Sequence, residues 1–307
     1  MWLRRDASYT IILLPDFSTR LIITMSLTAD RPPESICLLR LSAIGDCCHT
    51  LPVVRTIQSA WPSARISWII GTTEYELMKG LDGVEFITFD KGRGSAARRE
   101  LKRRLAGRRF SLLLHMQASL RANLLSRIVE AKRRIGFDRA RARDFQWLFS
   151  NEKIEAHERQ HVMDGLFGFA EALGIEDRNM HWDIPLSPAD LDFATAAASA
   201  DARVCVISPC SSQRFRNFRN WSAQNYCEVA QYLAGEYNAR IIVSGGNTEM
   251  ERSYGNAIAE AVGEAALNLV GKTTLKQLLA LIARADLLIG PDSGPVHMAT
   301  AVDTPVL

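Results

Sequence analysis

The sequence predicts an α/β protein of two successive units, each a parallel sheet covered by helices. Three observations carry this. Short apolar runs alternate with amphipathic ones from residue 35 onward, and such alternation builds parallel sheets buried on both faces. The alternation halts at "WDIPLSPADL" (182–191) and then restarts. Three loops that follow strands are rich in Gly, Ser, Asp or Arg, at the carboxyl ends where such sheets bind ligands. The 307 residues, 47% hydrophobic and 23% charged, accommodate two domains of ~150 residues.

The elements follow in order. "SICLLRL" (35–41) is a short apolar run ending in a small-residue loop, hence a buried strand. Helical spacing marks "VVRTIQSAW" (53–61), downstream of a loop–helix junction at Gly45–Asp46. Strands are expected at 64–70, 84–90 and 110–116, with a short helix at 75–81 and a basic one across 95–107. "LRANLLSRIVEA" (120–131) reads as a helix and "RRIGFD" (133–138) as a strand or turn. "HVMDGLFGFAEALGI" (161–175) is helical, stopped near Gly174. After the proline-containing linker, Ser187 before Pro188 opens a new helix. Strands then fall at 203–209, 239–246, 266–271 and 286–290, and helices at 222–237, 248–262, 274–285 and from 292. Ser222 is the expected cap of the first of these helices. The closing "TPVL" looks like the opening of a further strand, so the sequence reads as truncated.

Charge divides the chain. Residues 1–150 carry 25 Lys and Arg against 14 Asp and Glu, whereas 151–307 carry 12 against 20. The halves therefore meet different partners. The basic residues concentrate at 91–109 and 132–143, as solvated faces or as a surface for an anionic partner. Zinc-finger spacing, RNP-like aromatics and basic-region heptads are lacking, so nucleic acid is not expected. The six cysteines form no C-x-x-C pair and read as reduced thiols. No run approaches the ~20 apolar residues of a membrane span. Residues 1–24 make a poor signal peptide, which suggests either a start at Met25 or a poorly ordered extension, over 1–33 in all.

Three loops carry chemistry. In "LSAIGDCCHTLP" (41–52), Asp46 is a base or a helix cap, Cys47 and Cys48 face the core, and His49 lines a cleft or packs. Consecutive helix residues diverge by about 100° each, so these four cannot converge on one metal. In "SPCSSQRFRNFRNW" (208–221), Ser211 and Ser212 accompany Arg214, Arg216 and Arg219, and arginine forks suit a diphosphate. In "GPDSGPVHMA" (290–299), Ser293 and Gly294 suit an anion at a helix start, with His297 one turn in. Asp292 caps that helix or accepts sugar hydroxyls. Neither G-x-G-x-x-G nor a P-loop occurs, which disfavours dinucleotide oxidoreductases and nucleotide hydrolases.

"LLRLSAIGDCCHTLPVVRTIQSAWPSARISWII", "RRIGFDRARARDF", "SSQRFRNFRNWS" and "GPDSGPVHMATAVDTPVL" together resemble the heptosyltransferases of lipopolysaccharide core synthesis, glycosyltransferase family nine. The resemblance runs from about residue 35 to the end. It implies a GT-B fold of two Rossmann-like domains facing across a cleft: an acceptor domain over 34–184 and a nucleotide-sugar domain over 185–307. It implies an inverting transfer from ADP-heptose to Kdo-lipid A at the cytoplasmic face of the inner membrane, with no metal or other cofactor. Asp46 then matches the family's base. Ser211, Ser212, Arg219, Glu249, Asp292, Ser293, Gly294 and His297 fall to the donor. Gly45, His49, Gln117, Arg103 and Arg104 fall to the anionic acceptor. Arg219 stands where many relatives have lysine, keeping the charge and changing the geometry. Glu249 holds ribose hydroxyls or is a plain exposed helix residue. Competing readings are a family member with another acceptor, a sugar-nucleotide epimerase of the same fold, and an RNA- or nucleotide-binding module.

Overall fold

The computed structural model describes residues 32–198, 203–211 and 218–307. The expected extension over 1–33 lies almost wholly outside them. The first sheet contains β1 (Ser35–Leu39), β2 (Arg65–Gly71), β3 (Val84–Phe89), β4 (Arg109–His115), β5 (Glu130–Gly136) and β6 (Glu152–Lys153), all parallel, in the order β3-β2-β1-β4-β5-β6. The second contains β7 (Val204–Ile207), β8 (Arg240–Val243), β9 (Ala266–Asn268) and β10 (Leu287–Ile289), in the order β10-β7-β8-β9. In both, the first strand of the unit is central and the order reverses beside it. That reversal opens a crevice at the carboxyl ends. The last residues extend the second sheet: Leu307 N donates to Leu288 O, and Leu307 O accepts from Gly290 N.

Alternation along β1 assigns each side chain to a face. Cys37, Leu39 and Leu41 pack under α3 (Gly94–Leu105) and α4 (Leu120–Ser126). Ile36 and Leu38 face the opposite way, toward α1 (Ile44–Ala60), α2 (Thr72–Met78) and α5 (Val162–Glu171). That second core continues without a break into the other domain. It takes in Val204 and Val206 of β7 and residues of α6 (Pro188–Ala197), α9 (Leu275–Ala283) and α10 (Gly294–Thr300). The outer face of the second sheet is covered by α7 (Ala223–Tyr237) and α8 (Glu249–Val262). The domains are therefore seated on each other, with α1 against α10 and α2 against α9.

One segment departs from the sequence reading. Helix α4 stops at Ser126, and β5 begins at Glu130, inside the run read as helix. Ile128 and Val129 are β-branched and favour the extended form over a continued helix. Helix α1 carries Pro52 in its interior, where proline withholds a hydrogen bond from the carbonyl four residues back. That carbonyl belongs to Cys48, and Trp182 Nε1 donates to it at 2.8 Å. The linker tryptophan thus satisfies the group that the proline strands. Ser187 caps α6 in a capping box with Asp190, and Ser222 caps α7, both as expected.

Candidate active site

A cleft of about 550 Å³ lies where the carboxyl ends of both sheets meet. Its walls come from the loops after β1, β7, β8, β9 and β10. Gly45 and Asp46 stand on one side, and Ser211, Arg219, Asp292, Ser293, Gly294 and His297 on the other. Eight of the residues singled out in the sequence thus converge on one space. Ser212, with Arg214 and Arg216, lies outside the described residues.

Asp46 sits in the first turn of α1. Its Oδ2 accepts from Ala43 N at 2.9 Å and pairs with the Arg40 guanidinium. Arg40 also donates to Met116 O and is 10% exposed, against 34% for Asp46. One oxygen is therefore anchored to buried groups. The other, Oδ1, has no protein partner among the described residues and belongs to the more exposed end of the ion pair. The contacts of Asp46 with the helix start and with Arg40 thus engage one oxygen and leave the other uncommitted among the described residues. Arg40 is a site residue the sequence reading passed over; its only signal was a charge ending an apolar strand.

Gly45 has a tight packing role. A Cβ there would lie 2.1 Å from His297 Cδ2, so the glycine is what lets α1 and α10 meet. His297 is also 3.3 Å from Asp292 Oδ1, and its ring centroid is 4.6 Å from that of His49. His49 in turn contacts His161 at 5.4 Å. Burial, with His297 and His161 beside it, pushes the His49 imidazole down to about 4. His49 is buried behind the cleft wall and packs there.

On the second wall, Arg219 Nη1 donates to Asp292 O at 2.8 Å and lies 3.3 Å from its carboxylate. Asp292 does not cap α10; the cap position is Ser293. The Ser293 hydroxyl is buried with no hydrogen-bond partner among the described residues, on a residue that lines the cleft wall. Ser211 N and Oγ both donate to Asn220 Oδ1 at 2.8 Å, which ties these two residues together at the cleft wall.

The carboxylate of α8 that lines the cleft is Glu251, not Glu249. Thr248 and Glu251 form a capping box, which turns Glu251 back onto Gly246 N at 2.7 Å and into the cleft. Glu249 is exposed on the first turn and does not line the space. The T-x-x-E spacing was the available signal. Glu74, also unread in the sequence, lines the cleft while paired with Lys91 at 2.9 Å.

Besides His49, three residues assigned to the acceptor stand away from the cleft lining. Gln117 braces the loop after β1, accepting from Leu41 N at 2.6 Å and donating to Ser42 Oγ at 3.3 Å. Arg103 pairs with Glu100 on the outer face of α3, and Arg104 donates to Phe86 O at 3.2 Å. The cysteine pair is inert: both thiols are buried in the shared core, and burial pushes Cys48 up to about 12. No cluster of three His, Cys, Asp or Glu groups able to hold a metal occurs among the described residues.

Two parallel α/β domains sharing one cleft at the carboxyl ends of their sheets make a GT-B-type fold. The E. coli heptosyltransferase WaaC, solved with ADP-2-deoxy-2-fluoro heptose, superposes with a TM-score of 0.72 at 20% identity, covering 89% of this chain and 87% of that one. The family pattern for glycosyltransferase family 9 (heptosyltransferase) matches residues 98–307. The lipopolysaccharide core heptosyltransferase OpsX of Haemophilus influenzae is 38% identical over 275 residues, 90% of this chain and 78% of that protein. Lipopolysaccharide heptosyltransferase 3 of E. coli K12 is 25% identical over 86% of this chain and 78% of that protein. The chain belongs to glycosyltransferase family 9, the heptosyltransferases, and is a glycosyltransferase.

Proposed function

We propose that the enzyme transfers L-glycero-D-manno-heptose from ADP-heptose to the Kdo-lipid A inner core, with inversion at the anomeric carbon. The observation that carries this reading is the opposition of two chemistries across one cleft. Asp46 offers a carboxylate oxygen on the first wall, and Arg219 with the Ser293 hydroxyl, unpaired among the described residues, offers donors on the second. An acceptor hydroxyl at Asp46 Oδ1 attacks the anomeric carbon as the bond to the diphosphate breaks. Its proton passes to Asp46 late, once bond formation has made it acidic. Charge gathering on ADP is met by Arg219, Ser293, Ser211, Ser212 and the backbone around Gly294, without a metal. Glu251 is suited to the ribose hydroxyls, and Asp292 to the heptose hydroxyls.

The names of the relatives support this reading. OpsX is a lipopolysaccharide core enzyme, and WaaC was solved with an ADP-heptose analogue. We place the enzyme in the cytoplasm, against the cytoplasmic face of the inner membrane where a lipid-anchored acceptor resides. No helix among the described residues is long and apolar enough to cross a membrane. The test is ADP release from ADP-heptose with Kdo₂-lipid A, beside the same core already carrying one heptose. Turnover on the unheptosylated acceptor is expected. Turnover only on the heptosylated core, or without any acceptor, overturns the reading.

A further inference from the structure

Four of the large exposed apolar side chains lie on two joined segments of the first domain. On α4, Leu120 and Leu124 are 56% and 39% exposed, one helical turn apart on one face. In the loop after β5, Phe145 is 62% and Leu148 71% exposed. The two segments are joined. Asp144 Oδ2 accepts from Leu120 N at 2.8 Å, and Asn123 Nδ2 donates to Asp144 O at 2.7 Å. Arg127 of α4's end and Leu148 line one surface hollow.

The loop holds Phe145 outward against its backbone preference. Asp144 and Phe145 have φ of 52° and 60°, a left-handed conformation that aromatic residues rarely adopt. The clamp from Asn123 and Leu120 keeps it there. Strain of this kind persists where the surroundings over-determine it.

Charge surrounds the apolar tips. Residues 120–149 contain eight Lys and Arg against three Asp and Glu. Arg121, Arg127, Arg139 and Arg143 are exposed, and none forms an ion pair among the described residues. Arg139 lies over Trp147 at 3.9 Å, and Trp147 meets Phe145 edge-on at 5.4 Å. Aromatic rings, leucines and unpaired arginines together match the boundary of an anionic bilayer, where apolar tips enter and arginines meet headgroups. The basic helix α3 lies on the same face of the sheet as α4 and extends the positive field.

We propose that Leu120, Leu124, Phe145 and Leu148, ringed by these arginines, are a docking surface for an anionic lipid bilayer. The surface lies at the carboxyl ends of β4 and β5. Gln117 ties the adjacent loop to Ser42, four residues before Asp46. Docking therefore turns the acceptor side of the cleft toward the membrane. Its biological sense rests on the lipid-linked acceptor proposed above, but lipid binding is measured without turnover.

The experiment is flotation of the full chain with vesicles of phosphatidylglycerol and phosphatidylethanolamine, of phosphatidylcholine alone, or of phosphatidylcholine carrying Kdo-lipid A. The wild type is expected to float with the anionic vesicles, less so in high salt, and hardly with phosphatidylcholine. Phe145→Ser with Leu148→Ser should lower the bound fraction at least tenfold, as should Arg121→Glu with Arg127→Glu. All four side chains are exposed, and unchanged thermal melts confirm folding. Turnover of an acyl-free acceptor by the serine variant should stay within twofold of wild type. Wild-type levels of flotation in both variants overturn the proposal. So does flotation that appears only with Kdo-lipid A in the vesicles, which would make the patch a site for the acceptor's acyl chains. A wild type that floats yet turns over no Kdo-lipid A rejects the function and leaves the docking surface standing.

Discussion

Replacing Gly45 with alanine tests the central contact of the cleft. The new Cβ would lie 2.1 Å from His297 Cδ2, whereas carbons rest at about 3.5–4.0 Å, so ~1.4 Å or more must be made up. His297 cannot yield freely, because His49 meets it edge-on on one side and Asp292 holds the other. Overpacking of this size costs about 1–3 kcal/mol. The readout is a double-mutant cycle in urea denaturation. Gly45→Ala should destabilise by that amount in the wild type and by at least about 1 kcal/mol less in a His297→Ala background. Turnover should fall further than stability, since parting α1 from α10 by about 1 Å separates the two walls and such misplacement costs roughly 10²-fold. An equal cost in both backgrounds would refute the contact as the cause.

Two further outcomes follow from the same geometry. Asp46→Asn should lower kcat by about 10²–10⁴-fold, the range for a general base. It also strips the buried Arg40 of its counter-charge, so a stability loss of about 1–3 kcal/mol should accompany it. Kinetics on the folded variant, well below its melting temperature, are the check, and kcat within tenfold of wild type would sink the base assignment. The His49 imidazole is held down to about 4 in the fold, from an ordinary 6.5. The unfolded chain therefore binds a proton that the folded one refuses, and stability should fall as pH drops from 6.5 toward 4. His49→Gln should flatten that slope in pH-dependent melts; an unchanged slope counts against it.

The two-unit α/β architecture was legible because burial on two faces leaves apolar runs that need no partner to be recognised. Gly45–Asp46, Ser211, Arg219 and Ser293–Gly294 were legible too, because ligand loops follow strands and their residue types are local chemistry. The β5 strand was obscured by a leucine-rich run whose helical spacing continues past the helix end. Glu251, which lines the cleft where Glu249 does not, was passed over, although a capping-box spacing lay within reach of the sequence.

By itself the sequence determined the order of strands and helices, the inert cysteines and the two chemistries of the cleft, all set by neighbours a few residues apart. Tertiary structure alone decided that Gly45 meets His297, that Arg40 anchors one oxygen of Asp46, and that Trp182 answers the carbonyl freed by Pro52. It alone drew Leu120 and Phe145 into one exposed patch. These pairings depend on how sheets, helices and loops stack in space, and periodicity along one segment carries no record of the segment it will face.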